Sequence, residues 1–585
     1  MGIVYTFLYT KSVLREEPNG YIDREILRRN FYFMIMKYHK HASDAVFWYL
    51  NELGSRVVAK TGIPSDRQHL GKLILQSLKD APDFVMQVDG GTGKSDTFQD
   101  ALERSVACAN AFRAIGLKAD DVIVLMAPNH NDLAISAYAA LYLGLIVAGV
   151  DMTLGIKELE DAFTITSPKV IFCESEKAQD VAEACRNLKL YARIVTFSNG
   201  GKYNSFSEFL AKYGNNSSVE EFKAADLDPE KSSCWLLSTS GTTGAPKYAT
   251  LTHTNIIMGF PNLWIMSSTF PTPVRSALVT SPVQWLSAIF TLILSPILRF
   301  TRIQSSLNVT REHAYYLINK YKPTYAIFSP PMATTLTKPE ECDKCDFSCF
   351  KTLLLGGSAV LQTLLENVKK IATEAEVYVV YGFSEIGSFA FNFVSPPPGS
   401  VGRPLAYLQH RLIDPDTQED ILEPNKTGEL WVKGPVIFKG YYKNPEATAE
   451  TFLNDGWIKS GDLFYRDENW NYFFVDRLKM LLKYRNHQIS PTEIESVIIK
   501  HPGVLDVAVT GIPDNDCGDL AVACVVPQAN CTVTAQEIKD LVKESLTDMK
   551  QLRGGVIFMK QLPLTSTSKV NRAVLKKIVR DMKRE

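Results

Sequence analysis

Apolar residues recur at helical spacing along QDALERSVACANAFRAIG, which stops at Gly116, and the next segment, DDVIVLMAP, is apolar almost throughout. The first pattern predicts an amphipathic helix closed by a glycine, and the second a strand buried on both faces. The rhythm returns at LGLIVAGV, KVIFCES and ARIVTF. Val/Ile/Leu-rich strands alternating with helices predict an α/β fold, with parallel-rich sheets covered by helices on both faces. This texture holds over residues 62–476 and predicts one large N-terminal domain. After Asp476 it gives way to the short alternating units GVLDVAVTGIPD and GDLAVACVVPQ and the helical TAQEIKDLVKESL. A small α+β domain is therefore expected over 477–585, with the boundary near Asp476 to Lys479. Residues 1–61 are rich in aromatics and charges without a clear period, and predict neither a domain nor a role. Ser276–Leu298 is uncharged and long enough to cross a bilayer, but Pro282, Gln284 and Pro296 interrupt it. A buried core segment is the expectation.

Composition narrows the function classes. The chain has 585 residues, 45% hydrophobic and 22% charged, as folded globular proteins do. Its 63 basic and 64 acidic residues give a net charge of -1, so no global field draws it onto nucleic acid or an anionic membrane. Ten cysteines are too sparse for a disulfide scaffold. Cys342, Cys345 and Cys349 lack a second CxxC or His pair nearby, which predicts an ordinary loop in preference to a zinc site. Lys11, Arg15, Glu16 and Glu17 break the early sequence where a secretion signal needs an apolar run. The chain ends Met582-Lys583-Arg584-Glu585, which is not a Ser-Lys-Leu peroxisomal address. A cytoplasmic protein is expected, with the peroxisome as the alternative, no transmembrane segment, and room only for weak membrane association.

The densest chemical signal is Ser238, Thr239, Ser240, Gly241, Thr242, Thr243, Gly244, Ala245, Pro246 and Lys247, directly after the apolar CWLL strand. Five hydroxyls, two glycines and a lysine in ten residues make a loop able to wrap phosphate oxygens. It is not a P-loop NTPase motif, because no Gly-Lys-Ser/Thr follows the glycines. Gly90-Gly91-Thr92-Gly93-Lys94-Ser95 does contain that triplet, but Val88 stands where the motif needs its first glycine. A hairpin turn is expected there.

The 238–247 loop resembles the phosphate-binding signature of the adenylate-forming superfamily, which includes acyl-CoA synthetases, aryl-CoA ligases, peptide-synthetase adenylation domains and beetle luciferases. Further segments match in order: LLLGGSA at 353–359, YGFSEIG at 381–387, ELWVKGP at 429–435, GYYKNPEAT at 440–448, GWIKSGDL at 456–463, DRLK at 476–479 and LTSTSKV at 564–570. In tone, notably LLKYRNHQISPTEIE, the chain is similar to the luciferase-like and coumarate-type acyl-CoA ligases.

The resemblance implies ATP, Mg²⁺ and CoA as co-substrates or cofactors, a small carboxylic acid as partner, and a small domain that rotates between half-reactions. Adenylation brings a carboxylate onto the α-phosphate of ATP, so cations and donors are needed where negative charge gathers. By the matched motifs, Lys569 would bridge the acyl carboxylate and the leaving phosphate oxygen, Lys247 would serve the phosphates, and Ser384 would offer a hydroxyl to the α-phosphate. Glu385 would hold Mg²⁺ and Tyr381 would stack on adenine. Asp462 would accept from the ribose hydroxyls, and Arg477 would reach the ribose or phosphate edge. Gly356, Gly357, Ser358 and Gly382 would line the acyl and adenine pocket. Lys479 takes the hinge position, and Lys483 lies on the strand that enters the site after rotation.

Three departures stand out. Tyr248 follows Lys247 where the signature continues with Gly, so a backbone needing φ > 0 or close approach would be strained. Asn486 replaces the usual glycine of the thioester-forming loop, and its side chain would narrow the pantetheine tunnel. Pro282 to Ser287 replaces the pocket histidine run of coumarate-type ligases and luciferases, and Trp285 would gate the acyl pocket instead. The leading expectation is an ATP-dependent acid–thiol ligase acting on a fatty acid. The alternatives are a luciferase-like adenylate oxygenase and a non-enzymatic nucleotide-binding relative.

Overall fold

In the computed structural model the described residues are 49–60, 62, 68–199, 201–214, 218–239, 246–259, 276–338, 341–392, 396–405, 407–453, 455–485, 487–514, 516–529, 531–565, 569–582 and 585. Ser240, Gly241, Thr242, Thr243, Gly244 and Asn486 lie outside them, as do residues 1–48. The large domain is built on two seven-stranded sheets. In one, the strands Asn204–Ser205, Arg193–Thr196, Val170–Cys173, Val122–Met126, Ile146–Gly149 and Ser233–Thr239 run parallel, and Lys247–Thr252 closes the edge antiparallel. The other orders Glu376–Val380, Thr352–Gly356, Tyr325–Phe328, Ser276–Leu278, Thr301–Gln304 and Val85–Asp89 parallel, with Ser95–Thr97 antiparallel at its edge. Val122–Met126 is buried at every position, because helices cover both faces of a parallel sheet.

The turn at 90–95 joins Val85–Asp89 to Ser95–Thr97. It is not a phosphate loop, because the Asp89 carboxylate accepts from its own Gly91 N–H and Thr92 hydroxyl and from Ser306 N and Oγ. Ser276–Leu298 is core, as expected. Its helix, Leu286–Leu298, is buried from Ala288 onward and contains Pro296. Proline supplies no N–H to the carbonyl of Leu292 one turn back. The Tyr138 hydroxyl donates to that carbonyl at 2.7 Å instead, so the apolar helix keeps its buried acceptor satisfied.

The alternating pattern did not foresee a third sheet, four-stranded and antiparallel, ordering Gln409–Ile413, Gly428–Lys433, Ile458–Arg466 and Tyr472–Arg477. Its last strand ends at Arg477, a 3₁₀ turn Leu478–Met480 follows, and Leu482–Tyr484 already belongs to the C-terminal five-stranded sheet. Asp476 anchors this junction: its carboxylate accepts from Ser490 Oγ at 2.5 Å and from Thr492 N at 3.2 Å at the start of the helix Pro491–Ile498. The C-terminal domain has its own core, centred on Ile494, Val509, Ala523, Ile538 and Val556. Cys342 and Cys349 sit in separate 3₁₀ turns. No helix among the described residues is long and apolar enough to cross a membrane.

Candidate active site

The hydroxyl-rich loop connects two strands of one hairpin, with Thr239 opposite Lys247 and Ser238 opposite Tyr248. Antiparallel register brings the two ends of the loop side by side, and Thr239 Oγ1 donates to the Lys247 carbonyl at 3.2 Å. Tyr248 is buried at 2% exposure, pairs regularly in its strand and is not among the positive-φ residues. The expected strain is therefore absent: the strand, not the loop, takes up this position, and extended backbone accepts an aromatic side chain. Lys247 Nζ stands 5.2 Å from the centre of the Tyr441 ring. The Tyr441 hydroxyl in turn donates to Glu385 Oε1 at 2.5 Å.

Ser384 and Glu385 occupy a 3₁₀ turn, Ser384–Ile386, ended by Gly387 at φ 51°. The Glu385 carbonyl accepts from Phe438 N at 2.7 Å, tying the turn to the segment that carries Tyr441. Burial pushes the Glu385 carboxyl above its ordinary range, with the Tyr441 bond acting in the opposite sense. Gly356 ends its strand where a Cβ would lie 2.6 Å from the Val380 carbonyl, and a Cβ on Gly382 would lie 2.5 Å from the Ser388 carbonyl. Gly357 adopts φ 99° with no described residue within 4 Å of a Cβ, and Ser358 beside it is exposed.

The Tyr381 hydroxyl donates to Asp462 Oδ2 at 2.6 Å, and Arg477 Nε stands 3.3 Å from Asp462 Oδ1. Asp462 and Arg477 are direct partners on neighbouring strands, so the sheet register sets their distance. Asp462 is 3% exposed, and burial raises its carboxyl pKa against the pull of Arg477. A further carboxylate, missed by sequence reasoning, shapes the approach to it. Glu429 accepts from Gly461 N at 3.1 Å and from Trp431 Nε1 at 2.9 Å, holding Gly461 at φ 72° just before Asp462. Its signal in the sequence is its place at the head of the ELWVKGP segment.

Lys569 comes from the C-terminal domain. It is presented by a tight loop in which Thr565 N donates to the Lys569 carbonyl at 2.7 Å, Lys569 N donates to Thr565 Oγ1 at 3.1 Å, and Leu564 bridges Val570. Burial first, then repulsion from Arg477, lowers its ammonium pKa to about 8, while Asp462 and Glu385 pull the other way. Asp462 and Glu385 belong to the large domain, and so does Arg477, which lies beyond the expected boundary at 476 because it completes the last strand of the four-stranded sheet; the charges of all three act on Lys569. Lys483 is not part of it: its side chain is exposed on the C-terminal sheet, and its backbone N–H donates to Asp519. Lys479 is exposed in the junction turn. Trp285 caps the helix Leu286–Leu298, and its indole Nε1 is buried without a hydrogen-bond partner among the described residues. A Cβ on Gly149 would lie 2.7 Å from Gln284 Cα, so this stretch abuts the C-terminal end of a parallel strand. Ligands in open α/β sheets bind outside such ends.

Residues 75–442 match the AMP-binding enzyme family, and residues 493–569 match the AMP-binding enzyme C-terminal domain. The chain belongs to the AMP-binding enzyme family. Luciferin 4-monooxygenase of Photuris pensylvanica is 31% identical to this AMP-binding enzyme over 523 residues, covering 86% of this chain and 93% of the relative. The 4-coumarate–CoA ligase-like 9 of Arabidopsis thaliana is 29% identical, covering 84% and 87%. The anthranilate CoA ligase AuaEII, solved with anthranoyl-AMP, superposes with a TM-score of 0.80 at 20% identity, covering 89% of this chain and 98% of that one. This last likeness shows the fold: a large N-terminal domain with parallel-rich sheets and a smaller C-terminal domain.

Proposed function

We propose that this AMP-binding enzyme activates a carboxylic acid with ATP, releases pyrophosphate, and passes the acyl group from the adenylate to CoA. The observation that carries the reading is that Lys569, a cation from the C-terminal domain, lies within electrostatic reach of Asp462, Arg477 and Glu385, of which Asp462 and Arg477 are paired at 3.3 Å and Asp462 receives the Tyr381 hydroxyl. When a carboxylate attacks the α-phosphate, negative charge builds on the attacking and leaving oxygens, and a cation already placed there lowers the barrier. Lys247 and the 238–244 loop take the phosphates, Ser384 donates to the α-phosphate, and Tyr381 stacks on adenine. Asp462 accepts from the ribose hydroxyls, with Arg477 at the ribose or phosphate edge. Lys479 is the hinge that carries Lys483 into the site for thioester formation, in the manner of a few element-end residues absorbing a large backbone change.

The donor set fits Mg²⁺. Among the described residues no three His, Cys, Asp or Glu side chains gather as a self-contained cage. Mg²⁺ needs no such cage, since one or two carboxylates plus substrate phosphates satisfy it, and Glu385 is that carboxylate. Bound there, the ion would neutralise phosphate charge.

The substrate is a medium- or long-chain fatty acid, entering past Gly357, Ser358, Gly382 and Trp285. Support comes from the wholly uncharged helix Leu286–Leu298 behind Trp285. A screen of fatty, aromatic and short acids by pyrophosphate release, followed by CoA-dependent AMP release, tests the proposal. Both signals with a fatty acid are expected. No acid-dependent pyrophosphate would leave a nucleotide binder, and adenylation without CoA-dependent turnover would refute the ligase. The luciferase relatives favour one second reading, oxygenation of the adenylate. Luminescence with beetle luciferin is expected near background, because Gln284, Trp285 and Leu286 occupy the stretch that carries the histidine run in luciferases.

A further inference from the structure

Two residues of the phosphate site, Lys247 and Glu385, lie 138 positions apart in sequence, yet both touch one side chain. That side chain is Tyr441, whose hydroxyl donates to Glu385 Oε1 at 2.5 Å while its ring centre stands 5.2 Å from Lys247 Nζ. The ring is fixed from several directions. Tyr441 N donates to Thr448 Oγ1 at 2.9 Å, its backbone bridges Ala249 two residues beyond Lys247, and the Phe438 ring meets it edge-on at 5.0 Å. Glu385 makes no ion pair among the described residues, so the tyrosine hydroxyl is the side-chain contact that selects its orientation. A cation within about 6 Å of an aromatic face is attracted by the ring quadrupole, so the same ring restrains Lys247.

We propose that Tyr441 is the positioning residue of the phosphate site, its hydroxyl aiming the Glu385 carboxylate at the divalent cation and its ring face aiming Lys247 at the nucleotide. The inference rests on the reading of Glu385 and Lys247 as phosphate-site residues. It concerns binding geometry rather than turnover. Groups that hydrogen-bond a metal-ligating side chain typically govern about 10- to 100-fold of metal affinity, because they fix the ligand's orientation.

The test reads binding without turnover. Mn²⁺ serves as a paramagnetic probe in the presence of a non-hydrolysable ATP analogue, and metal-free analogue affinity is measured by calorimetry. Tyr441→Phe keeps the ring and removes the hydroxyl. It is expected to raise the Mn²⁺ concentration for half-saturation roughly tenfold, leaving metal-free nucleotide affinity unchanged. Tyr441→Leu removes both contacts and is expected to add a few-fold loss of metal-free affinity, about threefold for an exposed cation–π contact. In a Glu385→Gln background, Tyr441→Phe should have little further effect on Mn²⁺, since coupled residues are non-additive. An unchanged Mn²⁺ dependence in Tyr441→Phe, or full additivity with Glu385→Gln, overturns the proposal. Wild-type protein that binds Mn²⁺ and nucleotide but releases no pyrophosphate would refute the ligase and leave the role of Tyr441 standing.

Discussion

The two sides of the site are organised by different forces. On the large-domain side, two carboxylates each receive a tyrosine hydroxyl: Asp462 from Tyr381 at 2.6 Å and Glu385 from Tyr441 at 2.5 Å. Glu429 adds a third carboxylate that fixes the backbone leading to Asp462. On the C-terminal side, Lys569 is held through its own backbone to Thr565, and the charges that act on its ammonium group, Arg477, Asp462 and Glu385, come from the other domain. The floor of the site is thus preorganised within one domain, whereas the lysine acquires its environment only when the domains are apposed. A preorganised floor suits a nucleotide used in both half-reactions. In the proposed mechanism Lys569 serves adenylation alone, and a cation delivered by a second domain suits such a step.

That division makes freezing the junction one of the most damaging changes. Lys479→Pro restricts φ near -65°. It is expected to leave one half-reaction working and reduce the other on the order of 10²-fold, the cost of misplaced reacting groups. Partial-reaction assays on folded protein check this, and an equal fall in both would remove the hinge from the account. A smaller effect is expected on the floor. Asp462→Asn removes a charged acceptor worth about 1.5–3 kcal/mol, so ATP affinity should fall about 10- to 100-fold by calorimetry.

The third test uses pH. Lys569 carries its proton below about 8 and loses it above, because burial depresses its pKa. In the proposed role the charged form is the one adenylation needs, so kcat/KM for ATP should fall about tenfold per pH unit above that value, while the raised carboxyls of Glu385 and Asp462 set a separate limb on the acid side. Lys569→Arg, which stays protonated, should remove the alkaline limb even where the absolute rate is lower. The smallest expected effect lies in the acyl pocket. Trp285→Leu should shift the preference between short and long acids by about tenfold in kcat/KM, with ATP affinity unchanged.

Legibility in the sequence followed the same division. Parallel strands announce themselves as continuous apolar runs, so the α/β texture, the turn at 90–95 and the buried Ser276–Leu298 segment were all readable. The four-stranded sheet over 409–477 was not, because its strands interleave charges such as Arg411, Glu429 and Lys459 with apolar residues and blur the period. Asp462 and Lys569 stood out through motif resemblance, but their mutual approach depends on how two domains meet, which no local pattern encodes. Tyr441 sits within GYYKNPEAT, where a tyrosine between Gly440 and Tyr442 reads as packing until Glu385 is seen beneath its hydroxyl. Tyr248 shows the converse, a departure that looked costly in sequence and is an ordinary buried strand residue.

The division of labour is tested most directly by crossing two variants with two half-reactions. Lys569→Ala and Lys483→Ala are each assayed for acid-dependent pyrophosphate release and for CoA-dependent consumption of a preformed acyl-adenylate. The account predicts that Lys569→Ala loses on the order of 10²-fold or more of pyrophosphate release and retains thioester formation, while Lys483→Ala does the reverse. Unchanged pyrophosphate release in Lys569→Ala, or equal loss of both half-reactions in either folded variant, would contradict it.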